Sequence, residues 1–521
     1  MQRALWLWLV GLVVGCWWSA TSAEGAERTP NIVFILADDL GYGDMQFLNP
    51  RHGQIPTPHM DRLAAQGMVF TEAHSTSAVC TPSRYALLTG RYNWRTRLQQ
   101  GVLGGFSPPL IAPDRLTLPG LLRQHGYRTA CLGKWHLGMT MPGRPGTRLG
   151  DGIEDPALDK LDWERGIADG PTTRGFDEYF GISASLDMSP FAYIEQDRFP
   201  QFPTTLKTWV RTGPAAADFE AVEVLPELAR RGVEFLGARA RDQTPFFLYL
   251  PLTSPHTPVV TALEFRGKSG RGEYADFVLQ TDAVVGTLMQ ALDRLELAQN
   301  TLLVVSSDNG FAPYVEVSTR HEPSGDRRGF KADAWDGGHH VPLLVRWPAV
   351  IAPGTQCDQL VGLNDWMATC ADLVGAPLPP NAGEDSVSLR PLFSDPTQPV
   401  RDHLVHHSIH GKFALREGDW KLLLGPGSGG WASPRDDEAV RQGLPLVQLY
   451  NLRDDVAEQR NQQAEQPERV RRMLARMRQL VADGRSTPGP RQSNDVEIDL
   501  WKRKSLPGVT AEQLAVFETA P

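Results

Sequence analysis

From Asn31 to about Val374 the sequence predicts an α/β fold on a large, mainly parallel sheet flanked by helices. Short β-rich apolar runs alternate with longer helical patterns. The runs are apolar along most of their length, as expected of strands covered on both faces. Charged residues and histidines gather just past their carboxyl ends, where ligands bind in such sheets.

The buried strands are expected at 31–37, 128–132, 245–250, 301–306 and 341–346, and the helices at 58–66, 115–125, 275–295 and 364–373. Residues 142–171, rich in Gly, Pro and charge without periodicity, read as a surface insertion bordering the pocket. The alternation ends at Pro377-Leu378-Pro379-Pro380. Beyond it, strand-like residues at 413–424 and 446–452 and a basic amphipathic helix at 466–483 predict a smaller domain with a short antiparallel sheet and a helix. Val470, Met473, Leu474, Met477 and Leu480 line the apolar face of that helix, and its basic face reads as solvated surface. The expected division is a signal segment at 1–23, a large domain at 24–380, a smaller domain at 381–486 and an extension at 487–521.

A composition of 41% hydrophobic and 22% charged residues over 521 positions excludes wholesale disorder. At the N-terminus Arg3 precedes an apolar stretch over residues 4–14, and Thr21-Ser22-Ala23 offers small residues for cleavage, the pattern of an export signal too short to span a bilayer. Val13-Val14-Gly15-Cys16 resembles a bacterial lipobox, so a lipid anchor at Cys16 is the alternative to soluble export to the periplasm or medium. A net charge of -9 argues against nucleic acid as a partner, and attraction of an anionic substrate falls to locally clustered cations. Beyond Cys16 the four cysteines Cys80, Cys131, Cys357 and Cys370 are no disulfide framework for a chain of this size, and their pairing stays open.

Asp38-Asp39 closes one apolar run and Asp308-Asn309 another, which puts three carboxylates and an amide oxygen at one sheet edge. Such a set demands a cation, and oxygen donors favour Ca²⁺ with Mg²⁺ as competitor over Zn²⁺. Asp and Asn also serve as turn and cap residues. Lys134 and His136, two residues apart, follow the second strand, and His256 lies in the proline-flanked Ser254-Pro255-His256-Thr257-Pro258 after the third.

Cys80-Thr81-Pro82-Ser83-Arg84, continuing through Leu88-Thr89-Gly90-Arg91, resembles the signature of the sulfatases, enzymes with the alkaline-phosphatase-like α/β fold. Gly133-Lys134-Trp135-His136-Leu137-Gly138 and the segment from Gly329 to Gly338 match further blocks of that family, and the likeness covers nearly all of residues 30–480, the smaller domain included. The resemblance implies that Cys80 is oxidised to formylglycine by a maturation enzyme. It implies that the hydrated aldehyde attacks sulfur in line, and that Asp38, Asp39, Asp308, Asn309 and the residue at Cys80 bind Ca²⁺. It assigns sulfate binding to Lys134 and Lys331, a fixed cation to Arg84, expulsion of sulfate to His136, and the ester oxygen to His256. Ser185 matches a serine near the sulfate, with loop capping as its competing role. His340 stands where many relatives have arginine.

The expected substrate is a sulfated carbohydrate, with small aryl sulfates as surrogates. The rival activities are phosphate or phosphonate monoester hydrolysis on the same fold and catalytically silent glycan binding. His52, His59, Arg95, Arg97, His403, His406 and His407 are further candidate contacts, each also explicable as a surface or structural residue.

Overall fold

The computed structural model describes residues 29–152, 157–242, 244–316, 320–506, 508–510 and 512–514. The expected export signal, Cys16 and the end of the extension lie outside them. Among the described residues no helix is long and apolar enough to cross a membrane.

Nine strands form the main sheet: β1 (Asn31–Asp38), β2 (Met68–Phe70), β3 (Arg128–Lys134), β4 (Glu178–Ile182), β5 (Ile194–Glu195), β6 (Phe246–Pro255), β7 (Thr301–Ser307), β8 (Leu343–Arg346) and β9 (Thr355–Cys357). Their order is β9-β2-β8-β7-β1-β6-β3-β4-β5. The central five, from β7 to β4, run parallel, so their carboxyl ends share one edge. β8 and β5 are antiparallel to their inner neighbours, which makes the sheet mixed at its margins.

Helices α1 (Pro58–Gln66), α4 (Ala221–Asp242) and α5 (Glu273–Arg294) form one packed group, and α2 (Cys80–Thr89), α3 (Leu118–Gln124) and α6 (Trp366–Leu373) another. Thr117 caps α3 by accepting the Gly120 amide, so the helix begins later than the expected 115. The 142–171 segment is tied down more than a surface insertion need be: Leu161, Trp163 and Ile167 are buried, and Arg97 pairs with Asp151. The four later cysteines are buried and free, so none forms a disulfide.

The smaller sheet joins β10 (His403–His407), β11 (Phe413–Glu417), β12 (Trp420–Leu423) and β13 (Gln448–Asn451) in sequence order, all antiparallel. Helix α7 (Pro467–Asp483) buries Val470, Met473, Leu474, Met477 and Leu480 against it. The first apolar core continues past residue 380 to Phe393, and the second takes up Leu404. The extension is tethered to the catalytic unit, since Arg91 pairs with Asp495 and Arg95 with Asn494.

A buried polar seam joins the two units. Lys421 Nζ lies 3.2 Å from His339 Nε2, and the Nδ1 atoms of His339 and His74 are 3.1 Å apart. His406 donates from Nδ1 to the Ser75 carbonyl at 3.0 Å. His340 accepts the Arg327 Nε proton at 2.7 Å and donates to the Thr71 carbonyl at 2.8 Å. The arginine expected at 340 is thus replaced by a neutral imidazole with both nitrogens engaged. Although nitrogens of His74, His339 and His406 lie near one another, the His339 and His406 rings stack at 3.9 Å and 10°.

Burial, with nearby cations, holds His339 and His406 well below the ordinary range and His340 at about 3, and burial lowers His407 to about 4. These rings bind protons less readily folded than unfolded, so their contribution is complete above about 6.5 and is lost as pH falls from there toward the folded values. Each costs about 1.4 kcal/mol per pH unit within that window. Thermal melts should show a lower Tm at pH 5 than at pH 7, with a shallower dependence in His407→Gln; identical slopes would mean that His407 does not titrate in this window.

Candidate active site

The carboxyl edge of the parallel strands gathers the charged side chains. Asp38 ends β1, and Asp39 follows it with φ 66°, a left-handed conformation that turns the chain sharply as it leaves the sheet. Asp308 and Asn309 follow β7, Lys134 ends β3, and His136 takes φ 55° two residues later. A Cβ on Gly133 would lie 1.9 Å from the Pro251 carbonyl oxygen, so β3 and β6 approach this closely just before Lys134 only because residue 133 is glycine. Cys80 opens α2, whose first turn accommodates Pro82 without losing a hydrogen bond.

Arg84 is wholly buried and engaged with protein groups. Its Nε donates to Asp308 at 2.9 Å, another nitrogen lies 2.7 Å from the same carboxylate and 3.6 Å from Asp38, and the third donates to the Lys134 carbonyl at 3.1 Å. It therefore positions the carboxylates instead of projecting toward a substrate. Lys134 donates to Asp38 at 2.6 Å and Lys331 to Asp39 at 2.7 Å. Asn309 donates to Asp39 at 2.7 Å, and the Asp39 amide donates to Asp308 at 3.3 Å.

Burial pushes the Asp38 carboxyl up, yet Lys134, His256 and Arg84 hold it far below the usual range. Asp308, also buried, sits at about 6 despite Arg84. Burial drives the Cys80 thiol up to about 11 against the pull of Lys134 and Lys331. As a plain cysteine, position 80 would be protonated at neutral pH and a poor nucleophile.

Two histidines have tautomers fixed by backbone carbonyls. His136 Nε2 donates to the Leu103 carbonyl at 2.7 Å, which leaves Nδ1 as a buried proton acceptor without a partner. Burial, then Lys134 and Arg84, keep the ring neutral. Leu103 is itself held by Thr81 in the first turn of α2 at 3.2 Å, which ties the ring to the Cys80 helix. His256 donates from Nδ1 to the Thr257 carbonyl at 2.6 Å, so its Nε2, 3.6 Å from Asp39, faces the cluster.

The donor set fits a hard cation. Asp38 Oδ1 and Asn309 Oδ1 are buried with no hydrogen-bond partner, and Asp38, Cys80 and Asp308 offer ligand atoms within 4.8 Å of one another. Ser185 is buried near the end of β4 with an unpartnered hydroxyl.

The remaining histidines and arginines singled out in the sequence have other partners. His59 packs on Gly286 of α5, Arg95 binds Asp385, Arg97 binds Asp151, and His52 sits in the exposed loop after Asn49. His403 pairs with Asp402, while His406 and His407 belong to the seam. The sequence reading missed Tyr314, whose hydroxyl donates to Asp39 at 3.1 Å and lies 3.0 Å from Lys331 Nζ and 3.5 Å from His256 Nε2. Its only signal was its place five residues beyond Asn309.

A model of the Sulfatase family matches residues 30–376. An N-acetylgalactosamine-6-O-sulfatase of Bacteroides thetaiotaomicron is 31% identical over 523 residues, covering 89% of this chain and 96% of its own. Human arylsulfatase A is 32% identical over 461 residues, covering 83% of each chain. A solved structure from work on glycosaminoglycan metabolism by Bacteroides thetaiotaomicron superposes with a TM-score of 0.76 at 29% identity, over 87% of this chain and 99% of that one.

Arg84→Met leaves Asp38 and Asp308 buried without their shared guanidinium. In chelator it should lose about 3–5 kcal/mol of unfolding free energy, read from denaturant midpoints. A loss below about 1 kcal/mol would show that Arg84 does not hold them.

Proposed function

The chain belongs to the sulfatase family and is a sulfuric ester hydrolase, and we propose that it removes sulfate from a sulfated carbohydrate, using a nucleophile formed at Cys80 and a Ca²⁺ ion at the carboxylate cluster. The observation that carries this reading is the convergence of Asp38, Asp39, Asp308, Lys134, Lys331 and His256 on the edge where the Cys80 helix begins. Oxidised to formylglycine by a maturation enzyme, residue 80 supplies a hydrate oxygen as nucleophile, and Ca²⁺ supplies Lewis acidity. The ion would be held by Asp38, Asp39, Asp308 and Asn309, with residue 80 beside it, and Mg²⁺ is the weaker candidate.

The rest of the work belongs to the chain's own side chains. Lys134 and Lys331 hold the tetrahedral anion, with Ser185 as an added hydroxyl donor. The first turn of α2 adds the partial positive charge of a helix N-terminus. His256 presents Nε2 to the ester oxygen, and in its protonated form gives the departing alcohol its proton. The free Nδ1 of His136 accepts the proton released from residue 80 when sulfate leaves.

The cluster balances its own charge, since three carboxylates, Asp38, Asp39 and Asp308, face three cations, Arg84, Lys134 and Lys331. A divalent metal would add net positive charge, which suits a tetrahedral oxyanion.

The carbohydrate assignment draws on relatives named for amino-sugar sulfate and glycosaminoglycan metabolism and on the expected export signal, which would send the enzyme to the periplasm or medium. A lipid anchor at Cys16 would tether it there instead.

Mature enzyme should hydrolyse sulfated oligosaccharides and 4-nitrophenyl sulfate, lose activity in chelator and regain it with Ca²⁺ more fully than with Mg²⁺. Lys134→Ala should lower kcat/KM about a hundredfold. Faster turnover of 4-nitrophenyl phosphate would favour the phosphatase reading, and sugar binding without hydrolysis by mature protein the silent-binder reading.

A further inference from the structure

We propose that Tyr314 and Trp431, one from each unit of the fold, form an aromatic wall that binds the six-membered ring of the leaving alcohol, a pyranose in the carbohydrate reading on which this inference rests. Tyr314 is divided between two environments. Its hydroxyl reaches Asp39, Lys331 and His256, while the residue as a whole is 47% exposed, so its ring stands at the mouth of the catalytic cluster. Burial and the Asp39 carboxylate raise its pKa, which keeps the hydroxyl a donor.

The Trp431 ring lies 5.9 Å from that of Tyr314 at a tilt of 55°, and Trp431, like Tyr314, is not fully buried. Trp431 is held firmly although it lies in a glycine-rich loop. Its amide and that of Ala432 donate to Asp333 at 2.8 and 3.0 Å, and Ala334 donates to the Ser428 carbonyl at 2.7 Å. A Cβ on Gly430 would lie 2.3 Å from the Ala332 carbonyl oxygen, so this close seating requires glycine. Asp333 lies two residues from Lys331, so one turn sets both the sulfate-gripping ammonium and the tryptophan.

His256 Nε2, the atom assigned to the ester oxygen, lies 3.5 Å from the Tyr314 hydroxyl, and the two rings are 6.3 Å apart at 70°. An alcohol leaving toward His256 therefore departs beside the aromatic pair. A ring with an apolar C–H or π face would stack there, and a methyl group would not reach.

Cyclohexyl sulfate and methyl sulfate separate the ring from the anion, because both leave as simple alkoxides. Calorimetry on a Cys80→Ala background reads their binding without turnover. Cyclohexyl sulfate should bind about tenfold more tightly than methyl sulfate, and Trp431→Ala should erase that preference. Tyr314→Phe and Trp431→Phe, which keep an aromatic ring, should retain it. On mature enzyme Trp431→Ala should raise KM for cyclohexyl sulfate with little change in kcat. No ring preference in the parent, or equal weakening of both probes by Trp431→Ala, would overturn the proposal. Tight ring-dependent binding without hydrolysis by mature enzyme would uphold it while refuting the catalytic reading.

Discussion

The structure depends on burying three carboxylates at one edge of a parallel sheet. An isolated buried carboxylate costs several kcal/mol, so Asp38, Asp39 and Asp308 are tolerable only because Arg84, Lys134 and Lys331 lie against them. Each cation comes from a different element: Arg84 from α2, Lys134 from the end of β3, and Lys331 from the loop after β7. In the proposed function the balance that permits folding would also prepare the chemistry, because a metal taking up the carboxylates would free the same lysines for an anion. Arg84, fully engaged with its neighbours, stays fixed while they do so.

The smaller unit takes part in this arrangement. The Ala78 amide bonds the His407 carbonyl, and Ala332 bridges the Ala78 carbonyl and the Ile409 amide. The approach to Cys80 and the turn holding Lys331 are thus both stitched to the strand that ends in His407. The buried histidine seam behind them, with Lys421 paired to Asp336 and Glu458, fixes the same contact from inside. Positioning of Cys80 and Lys331 therefore draws on both units of the fold.

Much of this was legible in the sequence because parallel strands send their carboxyl ends to one place. Apolar runs at 31–37, 128–132, 245–250 and 301–306 fixed the edge, and the residues just beyond them fell into it. The short strands β2, β5 and β9 escaped because two or three residues carry no periodicity. Helix α4 escaped because Pro226, its sixth residue, forgoes the bond to the Val222 carbonyl and reads as a helix breaker. His340 shows a different limit: the position was recognisable, but its bond from Arg327 depends on a neighbour thirteen residues away that no motif marks. Tyr314 and Trp431 lie in loops from opposite units, and only the folded chain brings them together.

The proposed chemistry turns on residue 80 acting as an oxidised cysteine, since burial pushes its thiol up to about 11. The most direct measurement is the mass of the peptide containing Cys80, taken from a preparation that hydrolyses sulfate esters. The expected result is a loss of about 18 Da relative to cysteine, the change that accompanies conversion to formylglycine. An unmodified cysteine throughout such an active preparation would contradict it.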